Sequence, residues 1–141
     1  MPEGWLLVRG RGDRPLPAAV DLASLTLHRS TRRPKVQPGD VAVLYASVWQ
    51  ALFGVVEIAG PPELDPARGR WAWSFPLRPL VALRDLDAAP PVEAAGIFPQ
   101  SLWRHSYIRL AADQLAAARA LIEEAAGAEV RPACRTRRAG S

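Results

Sequence analysis

Two short apolar runs joined by a polar link constrain the fold of this chain more than any other feature. The runs are residues 41–46 (VAVLYA) and 53–59 (FGVVEIA), and the link contains residues 47–50 (SVWQ). Such runs are typical of strands buried on both faces, and the short link predicts that they pair antiparallel. Gly54 inside the second run predicts a β-bulge or a close approach of the backbone.

Three further strands are predicted around this pair. Aromatic and apolar side chains alternate with smaller ones over residues 71–77, a period of two that is typical of a strand. Pro76 and Pro79 make this strand irregular or place it at a sheet edge. The other two strands are predicted at 5–9 and 107–110, and a Pro38-Gly39-Asp40 turn precedes the first apolar run.

The helical signals are fewer. Asp21 can cap a short helix over 22–27, and an apolar stripe over 113–126 predicts a longer helix that ends at Gly127. The leucines of the short helix expected to face inward are Leu22, Leu25 and Leu27. This order of elements predicts an α+β fold, in which a small, curled, antiparallel or mixed β-sheet or pseudo-barrel has helices packed outside.

Length and cysteine content limit the class of protein. A chain of 141 residues fits one domain, predicted at 1–130. No run reaches the roughly 18 apolar residues of a membrane helix, and the start shows no basic flank of a secretory signal. Cys134 is the single cysteine, which excludes an internal disulfide and a cysteine-built zinc site. We therefore expect a cytoplasmic, single-domain protein.

Basic residues are concentrated in two segments. Residues 28–35 (HRSTRRPK) and 131–141 hold eight of the 18 Lys and Arg residues and no acid, so the other ten are outnumbered by 14 acids. Local basic patches favour contact with a polyanion. The first segment is predicted to be a loop. The second has too few apolar residues to fold, so we expect a disordered tail that is either a nucleic-acid arm or an inert end.

Motifs for catalysis and metal binding are scarce. There is no phosphate-binding loop, dinucleotide-binding glycine motif or nucleophile elbow. His28 and His105 are not spaced with carboxylates as metal ligands are. We therefore predict a protein that is not an enzyme and uses no cofactor or metal. The alternative enzyme would act on nucleic acid, with His105, Asp85 and Asp87 as acid–base groups.

Tryptophans supply the clearest binding signal. The chain has five, and all except Trp5 fall at strand ends or beside polar and basic residues. Trp49 follows a strand next to Ser47, Trp71 follows an arginine-rich turn, and Trp103 precedes Arg104, His105 and Ser106. Indole rings beside hydrogen-bonding and basic side chains can enclose a planar ligand such as a nucleobase.

The assembled pieces resemble the EVE family, which is related to YTH and other PUA-like domains. The pieces that carry the likeness are the 4–9 strand (GWLLVR), the segment 37–47 (QPGDVAVLYAS), the glycine-containing strand 53–59, the strand and connector 71–86, and the strand plus helix 106–122. The likeness covers roughly residues 4–126 and rests on the order of these pieces. It implies a small curled sheet and a module that takes a modified nucleobase into a pocket, with Ser47 as a hydrogen-bonding residue and Trp49 and Trp71 as aromatic cage candidates.

We therefore predict a non-catalytic module that recognises a modified base, flipped or single-stranded, in DNA or RNA. The predicted base-pocket residues are Ser47, Trp49, Trp71, Trp103 and Ser106. The residues predicted to contact the nucleic-acid backbone are Arg29, Arg32, Arg33, Lys35 and Arg104. The remaining alternative is a sensor of a nucleobase-like small molecule or a protein-interaction module, because the chain outside its two basic segments is net acidic.

Overall fold

A mixed, curled β-sheet with one long helix forms the protein. The structure, a computed structural model, describes residues 3–10, 15–102 and 107–139. The elements in chain order are β1 (Gly4–Arg9), a 3-10 helix (Leu22–Thr26), β2 (Leu27–Ser30), β3 (Val41–Ala46), β4 (Ala51–Ile58), β5 (Glu63–Leu64), a 3-10 helix (Pro66–Trp71), β6 (Trp73–Ala82), three 3-10 helices (Leu86–Ala88, Val92–Ala95 and Pro99–Leu102), β7 (Tyr107–Leu110) and α1 (Ala112–Ala139).

The sheet order is β2-β6-β4-β3-β1-β7, and β5 pairs with β6. β1 and β3 run parallel, whereas the other paired strands run antiparallel. The predicted α+β fold with a small curled mixed sheet is confirmed. The strands predicted at both ends of the domain and at the central hairpin are confirmed as well.

The β3–β4 hairpin contains the irregularity that its glycine predicts. Leu44 pairs with Gly54 and Tyr45 pairs with Leu52, so the register shifts by one residue at Phe53. A Cβ added at Gly54 would lie 2.9 Å from the Leu44 Cδ1 atom. The bulge and the close approach are therefore both present.

β6 is irregular, because its pairing partners change along its length. Its first residues pair with β2 and β5, and its later residues pair with β4. Pro79 sits where the register with β4 shifts, so its missing N–H falls at a break in the ladder. Pro76 lies where the pairing partner changes from β2 to β4, and the predicted irregularity of this strand is confirmed.

The sheet buries side chains on both faces. One cluster gathers around Phe53 and Phe75 beneath the first 3-10 helix. The other lies between the sheet and α1, where Ala118 and Ile122 pack against β1, β3 and β4. In the described ranges, no helix combines the length and apolar character needed to cross a membrane.

Three local predictions are corrected. Of the three leucines expected to face inward, only Leu25 is buried, because Leu27 begins β2, which buries the alternate residues His28 and Ser30. The basic segment 28–35 is thus a strand for its first residues and a loop only after Ser30. The helix does not end at Gly127, because α1 continues past it to Ala139.

Candidate functional site

The Gly39-Asp40 turn is a structural element that joins the start of β1 to the start of β3. Asp40 is buried, and its carboxylate accepts three N–H donors. Oδ1 accepts from the Glu3 backbone at 3.0 Å, while Oδ2 accepts from Trp5 Nε1 and from the Gln37 backbone, both at 2.9 Å. Gly39 has φ of 93°, a value that glycine adopts without strain. This arrangement ties the two parallel strands together at one end.

A broad cleft lies at the opposite end of these strands. Because β1 and β3 are parallel and in register, Arg9 pairs with Ala46, and the Ser47 N–H donates to the Arg9 carbonyl at 2.8 Å. Antiparallel pairing of β2 with β6 places Ser30 opposite Trp73. The loop after β2 and the 3-10 helix before β6 therefore leave the sheet side by side and form another wall.

The cleft has a volume of about 2410 Å³. That volume is more than twice the roughly 1,000 Å³ at the upper end of small-molecule pockets. Seven of the ten residues predicted to bind ligand are described by the structure, and five of these line the cleft: Ser47, Trp71, Arg29, Arg32 and Lys35. The structure therefore brings together five described members of a candidate site that are far apart in the sequence.

Positive charge dominates the cleft. Among the described residues that line it, Glu93 is the single acid, against seven cations: Arg9, Arg29, Arg32, Lys35, Arg68, Arg70 and Arg109. Arg68 pairs with Asp65 at 3.3 Å and Arg109 pairs with Glu3. Within the described part of the chain, the other five have no carboxylate partner. Such an excess of cations attracts a polyanion and raises its rate of association.

Arg9 extends the positive charge into the wall of the cleft. Its Nη1 donates to the Ser24 carbonyl at 3.0 Å and its Nη2 to the Leu27 carbonyl at 2.7 Å. Its Nε is enclosed and has no acceptor among the described residues. Burial lowers the pKa of Arg9 to about 10, so the guanidinium stays charged at neutral pH. Sequence reasoning missed Arg9, because it reads as the last residue of an ordinary strand.

Arg33 does not line the cleft. Its guanidinium carbon lies 5.7 Å from the centre of the Trp73 ring, a distance typical of a cation–π contact. Its carbonyl accepts a hydrogen bond of 3.4 Å from the Tyr107 hydroxyl. Arg33 therefore connects the loop after β2 to β6 and β7, and its neighbours Arg32 and Lys35 are the ones that reach the cleft.

The turn between β3 and β4 separates the two tryptophans predicted to form a cage. Trp49 packs against the core, and its Nε1 donates to the Leu16 carbonyl at 2.8 Å. These contacts hold the turn against the core, and Trp49 is not among the described residues that line the cleft. Trp71 is half-buried and does line it. The structure therefore does not bring Trp49 and Trp71 together.

Tyr45 is a cleft residue that the sequence analysis did not single out. It lies at the end of β3, is 4% exposed, and borders the same cleft as Ser47. Burial raises the pKa of the Tyr45 phenol, so the group is a neutral hydrogen-bonding partner at physiological pH. Its position as the one polar-tipped side chain in an apolar run is a signal that could have identified it.

His28 is buried against Phe75 and also lines the cleft.

The remaining predicted residues have other positions. Trp103, Arg104, His105 and Ser106 lie outside the described residues. Asp85 caps a 3-10 helix by accepting from the Asp87 N–H at 2.9 Å, and neither carboxylate lines the cleft. Across residues 3–10, 15–102 and 107–139, no three His, Cys, Asp or Glu side chains are grouped so as to hold a metal ion.

Comparisons with known proteins identify the fold alone. No protein-family model matches the chain, and no curated protein matches it. A hypothetical protein from Leishmania major superposes with a TM-score of 0.61 at 15% identity, over 88% of this chain and 96% of the other. Protein Atu2648 from Agrobacterium tumefaciens gives 0.55 at 15% identity, over 83% and 91%. Rpa0253 from Rhodopseudomonas palustris gives 0.50 at 15% identity, over 89% and 93%. At this identity, the likeness extends to the curled-sheet architecture.

Proposed function

We propose that this protein is a non-catalytic, cytoplasmic module that binds a nucleic acid and takes one modified base into its cleft. The single observation that supports this most strongly is the cleft's charge, with seven cations and one acid among its described lining residues. A cleft of this volume exceeds what a nucleobase-sized metabolite needs. A phosphate backbone supplies both the length and the negative charge that such a surface accommodates.

Different parts of the cleft have different roles in this proposal. The exposed cations Arg29, Arg32 and Lys35 contact phosphates, which position the strand without reading its sequence. The base enters at the end of β3, where Tyr45 and Ser47 offer hydrogen-bonding groups. Trp71 lies on the same cleft and offers an aromatic face, and a stacked base of this kind contributes about 1–3 kcal/mol.

We also propose that the chain is a member of the EVE family. The pieces on which the resemblance rests fall on β1, β3, β4, β6, β7 and α1. Ser47 at the end of β3 lines the cleft, as the resemblance implies for a pocket residue. Trp49 packs on the core instead, so in our proposal the aromatic contact comes from Trp71 and not from a pair of tryptophans.

The test is the salt dependence of oligonucleotide binding, measured by fluorescence anisotropy on short single- and double-stranded probes with and without methylated cytosine. The parent is compared with the Arg29→Ala/Arg32→Ala double variant. We expect the variant to bind more weakly. The slope of its log Kd against log salt should fall by about 0.7–0.9 for each phosphate that the variant no longer neutralises.

The matched control is the Arg78→Ala/Arg84→Ala double variant. Both arginines are exposed and do not line the cleft, so their replacement changes net charge by the same two units without touching the site. Equal weakening in this control would mean that binding follows overall charge. A parent that binds none of the probes at low salt would refute the proposed function and favour a small molecule or a protein as the ligand.

A further inference from the structure

The turn between β3 and β4 holds two residues in left-handed backbone conformations. Val48 has φ of 76° and Gln50 has φ of 54°. Glycine or asparagine adopts such values readily, whereas a β-branched residue there is an outlier. A valine therefore makes the folded turn less stable than asparagine or glycine would at the same position.

The strained conformation is fixed by its surroundings. The Trp49 indole on the core anchors the turn from within. The Gln50 N–H donates to the Ala46 carbonyl at 2.9 Å, and the Gln50 carbonyl accepts from the Val92 N–H at 2.9 Å. Strained residues that are held in this way occur at sites that contact ligands. The turn thus presents Val48 on a rigid support.

The turn places the apolar side chain of Val48 in the positively charged cleft. Val48 is 56% exposed and lines the cleft among its cations. Leu64 is exposed to a similar extent, 54%, but lies on β5 outside the cleft. A single exposed apolar residue such as Leu64 needs no explanation. Val48 differs because it combines exposure with backbone strain, a rigid anchor and a position beside Tyr45 and Ser47.

We propose that Val48 is a wedge that enters the base stack of duplex DNA and occupies the space of the base that moves into the cleft. This inference rests on the proposed function, and it commits the substrate to a duplex. Proteins that unstack DNA insert an apolar side chain between base steps while cations hold the flanking phosphates.

The position of Val48 fits these two roles, entry into the base stack and binding of the extruded base. Val48 follows Ser47 directly, so the side chain that enters the stack and the group that bonds the extruded base are neighbours. Removing a base from a duplex costs free energy that a single strand does not require. Val48 should therefore affect binding to duplexes and leave binding to single strands unchanged.

The test uses a DNA duplex that carries 2-aminopurine beside a central 5-methylcytosine, and the labelled strand alone. The fluorescence of 2-aminopurine rises when the base is unstacked. The parent is compared with Val48→Asn, which accepts the left-handed backbone and removes the apolar tip, and with Val48→Gly as a second variant of the same kind. Leu64→Asn is the control for removal of an exposed apolar residue elsewhere.

For the parent and for Leu64→Asn, we expect emission from the duplex to rise on binding. For both Val48 variants, the rise is abolished and duplex affinity falls by about tenfold, equivalent to about 1.4 kcal/mol, while single-strand affinity is unchanged. An unchanged emission rise, or equal weakening on duplex and single strand, would refute the wedge and leave the proposed function standing. A parent that binds neither probe would refute both.

Discussion

Replacing Asp40 by alanine tests how the turn before β3 stabilises the fold. The substitution removes an acceptor that bonds the Glu3 N–H at 3.0 Å, the Gln37 N–H at 2.9 Å and the Trp5 indole N–H at 2.9 Å. Trp5 is 5% exposed, so its indole N–H has little access to water once the carboxylate is gone. The two backbone donors are less enclosed and can be hydrated.

The expected loss of stability follows from these three bonds. At about 1.5 kcal/mol for each bond to a charged acceptor, three bonds contribute about 4.5 kcal/mol. Part of this is offset because the variant no longer buries a carboxylate. We therefore expect Asp40→Ala to lower the free energy of unfolding by about 3–4 kcal/mol, which is a large share of the roughly 5–15 kcal/mol typical of a domain.

Urea denaturation followed by tryptophan fluorescence measures this loss of stability. Asp40→Asn keeps one oxygen, so it should be destabilised less than Asp40→Ala. Trp5→Phe removes the indole donor alone, and a double-mutant cycle with Asp40→Ala should give a coupling energy of about 1–2 kcal/mol. A loss of under about 0.5 kcal/mol for Asp40→Ala, the level of an ordinary surface substitution, would show that the carboxylate contributes nothing beyond its solvation.

Two smaller perturbations test the central hairpin. Burial raises the pKa of Tyr45 above its ordinary value of 10.0, so the neutral phenol stabilises the fold below about pH 10 and this contribution is lost as the pH rises through the higher folded-state pKa. Between about pH 9 and about pH 12, the range in which a tyrosine titrates, the free energy of unfolding should therefore fall less for Tyr45→Phe than for the parent. Parallel urea titrations measure this difference, and identical pH profiles would contradict the prediction. Gly54→Ala places a Cβ 2.9 Å from the Leu44 Cδ1 atom and should cost about 1–2 kcal/mol, and an unchanged thermal midpoint would mean that Leu44 yields without cost.

The parts of the fold that the sequence predicts are those governed by local pattern. The two apolar runs correctly predict β3 and β4, because a strand that is buried on both faces has apolar residues at nearly every position. Gly54 predicts its bulge because it is the one residue of the run without a Cβ. β2 was missed because its segment is strongly polar. Its buried residues, His28 and Ser30, are placed in the interior by pairing with β6, which no local pattern encodes.

Among the described residues, the candidate site is only partly predictable, for a related reason. Ser47 and Trp71 reach one cleft because β1 pairs with β3 and β2 pairs with β6, contacts between segments that are distant along the chain. The direction of Trp49 depends on the backbone of its turn, where Val48 and Gln50 have positive φ. Valine and glutamine do not favour positive φ, so the sequence gives no sign of this backbone conformation. The sequence alone therefore could not show whether Trp49 packs on the core or lines a binding pocket.

The charge of the cleft is also a product of the pairing. Along the sequence, the chain outside its two basic segments is net acidic, which argues against a polyanion as the ligand. Pairing of β2 with β6 brings Arg68 and Arg70 from that acidic remainder beside the loop that carries Arg32 and Lys35. The acids of the remainder, apart from Glu93, do not line the described cleft. A ligand senses the charges within about a Debye length, about 8 Å at physiological salt, so the local composition of the cleft and not the net charge of the chain decides which partner it attracts.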